Sequence, residues 1–251
     1  MHLDVVVCLK RVPDTEIRVR FADGATMIEP EGIKYIVSPY DEFALEAALR
    51  TAEASGEGRV TVMTLGDESS QETLRTALAV GADAAVLLHG SVTMDGLATA
   101  KALAAELKTR DEPLVLFGVK AGDDDQQQVG PMVATLLNRP CATNVTSFEV
   151  RERVVRCDRD VEGGTEVVEL DLPAVVTLTK GDFELRYASL RGIMAAKRKP
   201  LEAKDADRPE GRLTVARLAH PPERAEGRII GDGPEAVPEL VRLLRDEAKV
   251  L

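Results

Sequence analysis

Three consecutive aspartates, Asp123, Asp124 and Asp125, lie within the stretch GVKAGDDDQQQVGP, which runs from Gly118 to Pro131. Carboxylates this close suggest either chelation of a cation or polar recognition of a ligand whose charge is held elsewhere. Chelation fits poorly. Adjacent residues cannot all turn toward one ion without contorting the backbone, and calcium loops take ligands from alternate positions. The aspartates are also poor direct partners for phosphate, because like charges repel. A nucleotide fits in another way. Gly118 and Gly122, with Val119, Lys120 and Ala121 between them, let backbone approach a ligand, and amides from Gln126, Gln127, Gln128 and Val129 can hold an anion where a helix starts. The aspartates would then cap that helix and bond hydroxyl or amino groups. A solvated helix cap with no ligand is the plainer alternative. Gly122, at the turn into the aspartates, is expected to need a positive φ and close ligand approach.

Little else in the chain offers covalent or metal chemistry. Its three histidines, His2, His89 and His220, show neither zinc-ligand spacing nor an obvious nucleophile partner. Cys8, Cys141 and Cys157 are odd in number and far apart, forming no CxxC motif and no disulfide framework. Cys8 reads as a small buried strand residue. With 32 basic and 43 acidic residues the formal net charge is -11, an average field that repels nucleic acid. No apolar run approaches the ~18 residues of a membrane span, and the first residues lack the sections of a signal peptide. A cytoplasmic protein without membrane insertion is expected.

The elements that must position the aspartates can be read from apolar patterning. Leu3–Leu9 is a continuous, β-branched run, as for a strand buried on both faces. A loop and hairpin fill residues 10–37. Ser38 then suits a helix N-cap, Pro39 the first helical position, and Asp41 the third, where its charge meets the positive helix end; Tyr40 lies between them. Leu45, Ala48, Leu49 and Ala52 form one apolar face, and Gly56 and Gly58 end the helix. Arg59–Leu65 reads as the next strand, and Ser69 to Glu72 as a capping box opening a helix. Ala84–Leu88 is a short strand; Leu97, Ala100, Leu103, Ala104 and Leu107 mark a third helix. Leu114–Phe117 is a fourth strand, followed by a helix with Val133, Leu136 and Leu137. Four alternations argue for a parallel sheet with helices on both faces. Ligands of such sheets gather outside the strand ends, where Ser38–Asp41, Leu65 and the aspartate loop all fall.

Beyond Cys141, residues 144–157 and 165–179 read as strands around a turn at Glu162-Gly163-Gly164. Residues 186–234 are too long for an ordinary loop and too poor in apolar periodicity for a second core. They read as an arm lying on another surface, closed by a helix over Glu235–Val250. Lys197-Arg198-Lys199 reads as a solvated basic run.

Residues 159–168 (RDVEGGTEVV), followed after four residues by Pro173–Thr177, resemble a signature of the electron-transfer flavoprotein β subunits. The resemblance continues in Cys8–Asp14, Ser38–Asp41, Arg75–Asp83 and Arg186–Leu190, covering most of the chain. It implies an α/β fold whose parallel-sheet nucleotide-binding core is adenine-nucleotide α-hydrolase-like. That core would span residues 1–185, with a β-hairpin extension, and a recognition loop and C-terminal arm would fill 186–251. It implies an electron carrier without catalysis of its own, paired with an α subunit that chiefly holds FAD. A structural AMP would lie against Cys8, Ser38, Pro39, Tyr40, Asp41, Leu65 and the loop from Gly118 to Val129. Leu190 would anchor a dehydrogenase of the acyl-CoA type, electrons would pass on to a quinone oxidoreductase, and the arm would embrace the α subunit. Two alternatives stay open: an electron-bifurcating subunit with a second FAD at the AMP site, and a stand-alone adenine-nucleotide-binding module.

Overall fold

Val5, Val6 and Val7 have no solvent exposure, because the strand that carries them has helices over both faces. The computed structural model describes residues 2–56, 58–91, 95–181, 184–207, 209–223 and 226–251. In chain order β1 (Val5–Cys8) is followed by β2 (Arg11–Pro13), β3 (Tyr35–Val37), α1 (Pro39–Ser55) and β4 (Val60–Gly66). Next come α2 (Ser70–Val80), β5 (Ala84–His89), α3 (Gly96–Leu107), β6 (Leu114–Gly118) and α4 (Val129–Leu137). The second half contains β7 (Cys141–Arg151), β8 (Val154–Val161), β9 (Gly164–Asp171) and β10 (Ala174–Leu178). It closes with α5 (Leu190–Ala196), β11 (Leu201–Asp205), a 3₁₀ turn at Pro234–Ala236 and α6 (Val237–Asp246).

The main sheet has the order β11-β5-β4-β1-β6-β10-β7-β8-β9. From β11 to β7 every pairing is parallel, and β7, β8 and β9 continue as an antiparallel extension. β2 and β3 form the expected hairpin. From β1 the chain builds outward through β4 to β5, then crosses back to place β6 on the other side of β1. Right-handed crossovers oblige helices to change face when the direction of building reverses. The side chains obey this: α1 and α2 pack on Val5 and Val7, whereas α3 and α4 pack on Val6, Cys8 and Phe117. Burying one valine side chain contributes about 1.5–3 kcal/mol, so β1 anchors both layers. The reversal lies between β1 and β6, and their carboxyl ends open on a common crevice.

Two features lie outside the pattern that apolar periodicity suggested. The first is in the stretch expected to be irregular from residue 186. It contains α5, packed on α2, and β11, which extends the core sheet alongside β5. The sheet therefore takes in residues 201–205, well past position 185. The second is the capping box at Ser69, which does not form. Asp67 receives the Ser69 and Ser70 amides through its carboxylate and carbonyl, respectively, and the Ser69 side chain makes no cap.

Candidate functional site

Asp41 ties the two strand ends together. It projects from the first turn of α1 into the crevice, where one carboxylate oxygen accepts the Lys10 amide (2.7 Å) and the other the Gly118 amide (2.9 Å). Lys10 follows β1 and Gly118 ends β6, so the carboxylate bridges the β1–β6 reversal. Burial pushes the Asp41 carboxyl up to about 7, against the two amides and Lys10, which pull it down. The third helical position suggested an acid facing the helix end; the structure makes it a buried cross-link between strands.

The neighbouring groups bring the loop onto the helix. Ser38 precedes α1 as expected, but its hydroxyl does not cap that helix; it accepts the Gly122 amide at 3.2 Å. Lys10 reaches both Asp123 and Asp124 at 2.8 Å, and Lys120 reaches Asp125 at 2.8 Å. The Lys120 ammonium also lies 5.6 Å from the centre of the Tyr40 ring. Burial alone lowers the Lys10 ammonium, but its hydrogen bonds with the two carboxylates hold it above the ordinary lysine range. The aspartates thus meet lysines, and the loop folds back over the ends of β1 and α1.

Close backbone approach falls at Gly118, where a Cβ would sit 2.5 Å from Asp41 Oδ1 and 2.7 Å from both the Asp41 nitrogen and the Tyr40 carbonyl carbon. Gly122, expected to need positive φ, does not adopt it, and a Cβ there meets only Pro39 Cδ at 3.4 Å. The left-handed residues of the loop are Asp125 (φ 51°) and Gln127 (φ 56°). Such alternation turns successive amides into an anion-binding concavity. The loop then enters α4 with no side-chain cap. Among the described residues, no protein acceptor takes the amides of Gln127, Gln128, Val129 or Gly130. Helix starts leave such donors for a ligand or water. Val119 and Ala121 complete the loop, Val119 hydrogen-bonding β10 through Leu178 (2.7 Å).

Cys8 is buried beneath α3 and α4, and desolvation with the Asp41 charge raises its thiol far above the range for a reactive thiolate. Leu65 packs against the same layer from the end of β4. Sequence patterning assigns no role to two positions here. Lys10, within the Cys8–Asp14 match, is one, and a cation directly after a buried strand was the available signal. The other is Thr64, whose buried hydroxyl donates to the Leu9 carbonyl at 2.8 Å. No local pattern marked it. A separate concavity of about 800 Å³ is lined by Arg18, Val19, Arg20, Phe21 and His220, between the hairpin loop and the arm, and includes none of the strand-end residues.

A family profile described as electron transfer flavoprotein domain matches residues 26–209. Curated relatives named electron transfer flavoprotein subunit beta align end to end. The protein from Syntrophomonas wolfei is 36% identical over 251 residues, covering all of this chain and 99% of its own. That from Bacillus subtilis is 37% identical, with 99% of this chain and all of the relative covered. The one from Sus scrofa is 33% identical, with 99% of each covered. The chain belongs to the electron transfer flavoprotein β-subunit family. Within the family's matched segment lie Ser38–Asp41, Gly118–Val129 and Leu190, while Cys8 and Lys10 precede it. No helix among the described residues of this family member is long and apolar enough to cross a membrane.

Asp41 gives this site a pH signature. A carboxyl raised above its unfolded value near 3.8 stabilises the fold fully below that value, and the contribution is lost as pH rises through 7. The stability difference between wild type and Asp41→Asn should therefore shrink as pH rises from 4 to 7, by up to about 1.4 kcal/mol per pH unit. Urea titrations of both proteins across that range measure it. Parallel pH profiles would show that Asp41 is ionised throughout.

Proposed function

We propose that this chain is the β subunit of a heterodimeric electron-transfer flavoprotein, holding AMP in the crevice between β1 and β6. The observation that carries the nucleotide reading is the run of amides from Gln127 to Gly130 that meet no protein acceptor among the described residues, where the loop after β6 enters α4. Donors of this kind suit a phosphate, and Gly118 lets the start of α1 close on the end of β6 beside them. Asp41, Ser38 and Lys10 hold the loop and exclude water behind it, while Asp123, Asp124 and Asp125 remain on its outer side with their lysines. FAD, held chiefly by an α subunit, supplies the electron chemistry when bound. This chain's own residues bind, position and dock. The exposed Val237 and Leu240 of α6 and the exposed Leu213, Val215 and Ile229 of the arm offer apolar surface for that α subunit.

Dehydrogenases of the acyl-CoA type dock, on this reading, at the start of α5, with onward transfer to a quinone oxidoreductase. Leu190 is 85% exposed and Tyr187 91%, with Met194 exposed nearby in sequence. An apolar anchor of this size contributes about 1.5–3 kcal/mol when buried in a partner pocket. Leu190→Ala should therefore raise the KM of an acyl-CoA dehydrogenase for the carrier about tenfold or more, leaving flavin content unchanged. Steady-state kinetics of the purified heterodimer test this, and an unchanged KM refutes docking at Leu190.

The nucleotide reading is tested by acid extraction and chromatography of the complex and of this chain alone. One FAD and one AMP per heterodimer, with no retained FAD on the single chain, is the expected result. Two FAD would mean that the β site takes flavin, as in a bifurcating subunit. A nucleotide on a chain that never pairs with α would favour a stand-alone module.

A further inference from the structure

We propose that Arg75 and Lys199 are positioning residues for dehydrogenase docking, fixing α5 on α2 so that Leu190 is presented in one orientation. The inference rests on the docking reading of Leu190 given above. It begins with a mismatch. α5 has only seven residues, and of these only Ala196 is buried, so apolar packing cannot hold the helix in place.

Polar contacts do so instead, in a reciprocal arrangement. Arg75, on α2, donates to the carbonyls of Ala196 (2.6 Å) and Lys199 (2.9 Å), where α5 ends. Lys199, just beyond α5, donates to the carbonyls of Leu78 (3.0 Å), Gly81 (3.1 Å) and Ala82 (2.6 Å), where α2 ends. Each helix therefore receives the other segment's cation at its negative terminus, where last-turn carbonyls lack intrahelical partners. Lys199 is the one member of the expected solvated run that turns inward; Lys197 and Arg198 remain exposed.

Two further contacts fix the geometry. Gly192 lies so close to α2 that a Cβ would come 2.4 Å from the Ala79 carbonyl oxygen. Ser189 caps the start of α5 by accepting the Gly192 amide at 3.0 Å. The segment is also pinned on its N-terminal side, where Arg186 pairs with Glu46 and Glu53 on α1. Residues 187–198 thus hang between two charged anchors, with Tyr187, Leu190 and Met194 facing outward. An anchor held in its bound orientation loses less freedom on docking than a mobile one, which tightens association without adding a contact.

The test uses the purified heterodimer with a medium-chain acyl-CoA dehydrogenase as probe. Arg75→Met and Lys199→Met should each raise the KM for the carrier about fivefold, the ratio that one net hydrogen bond's worth of ordering represents. The kcat and flavin content should stay within about twofold, and amide exchange over residues 190–198 should quicken. Gly192→Ala reaches the same displacement by steric means and should give the same kinetic pattern, which covers a charge variant that fails to assemble. Arg75→Met should add nothing to Leu190→Ala, because an anchor already removed cannot be misplaced. The positioning role is overturned if the three variants leave KM unchanged while Leu190→Ala raises it, or if the Arg75 and Leu190 effects multiply. A Leu190→Ala protein with normal KM would instead remove the docking reading itself.

Discussion

Gly118→Ala should lower the stability of this protein by about 3 kcal/mol and empty the proposed nucleotide site, whereas Gly122→Ala should do neither. The contrast follows from what each new methyl group meets. At position 118 it would lie 2.7 Å or less from two main-chain atoms of α1 and a carboxylate oxygen, none of which can swing aside. Relief requires α1 to move from the end of β6, which breaks the Gly118 amide bond to Asp41 and opens the crevice. At position 122 the nearest atom is 3.4 Å away, and φ is not positive. Denaturant midpoints and extracted nucleotide of wild type and both variants decide the matter. Equal stability and equal nucleotide content in the two variants would overturn the assignment of Gly118 as the close-approach residue.

Arg186→Ala is expected to have the next largest effect. Its guanidinium pairs with Glu46 at 2.8 Å and with Glu53 at 2.6 Å, and the Glu46 side chain is 3% exposed. Removing the arginine side chain leaves Glu46 with the Arg50 guanidinium at 2.7 Å and the main-chain amide of residue 186 at 3.3 Å. A buried charged group deprived of one partner costs about 1–3 kcal/mol. The pH dependence should run opposite to that of Asp41. For Glu46, burial raises the carboxyl, but the Arg186 and Arg50 hydrogen bonds outweigh it and hold it below 4.5; Glu53 is lowered chiefly by Arg186. Groups lowered in the folded state stabilise it above their unfolded value, and the benefit is lost as pH falls through the folded one. The gap between wild type and Arg186→Ala should therefore be widest near neutrality and close below about pH 4. A gap that does not narrow in acid would mean that the lost stability is not electrostatic.

The parts of the fold with strong apolar patterning were legible in the sequence. β1, the four strand–helix alternations, the hairpin and the turn at Gly163 follow from period and turn chemistry, because those elements bury whole faces. β11 was not legible, since LEAKD is short, mixed and buried at no position, and its strand character comes only from pairing with β5. α5 was hidden for the same reason. It is held by Arg75, on α2, and by carbonyls at the end of α2 that accept from Lys199, all distant in sequence. At the strand ends, sequence put Ser38–Asp41 beside the Gly118–Val129 loop, as their hydrogen bonds show, but misjudged individual side chains. Ser38 and Asp41 satisfied the local rules for a helix start, yet both side chains serve partners distant in sequence. Local rules describe what a residue can do for its own helix. They carry no information about which distant amide competes for the same oxygen.

The pairing of β11 with β5 has a consequence for biosynthesis. β5 ends at residue 89, but the strand that covers its outer edge begins only at Leu201. While the chain emerges from the ribosome, β5 therefore presents an uncovered row of amides and carbonyls until nearly four-fifths of the protein has been made. Leu201 lies shortly after the segment carrying Leu190, so the same step that seals this edge also seats that segment. A nascent chain stalled before residue 201 would thus be both adhesive along β5 and unable to hold that segment, and chaperone engagement should concentrate in that window.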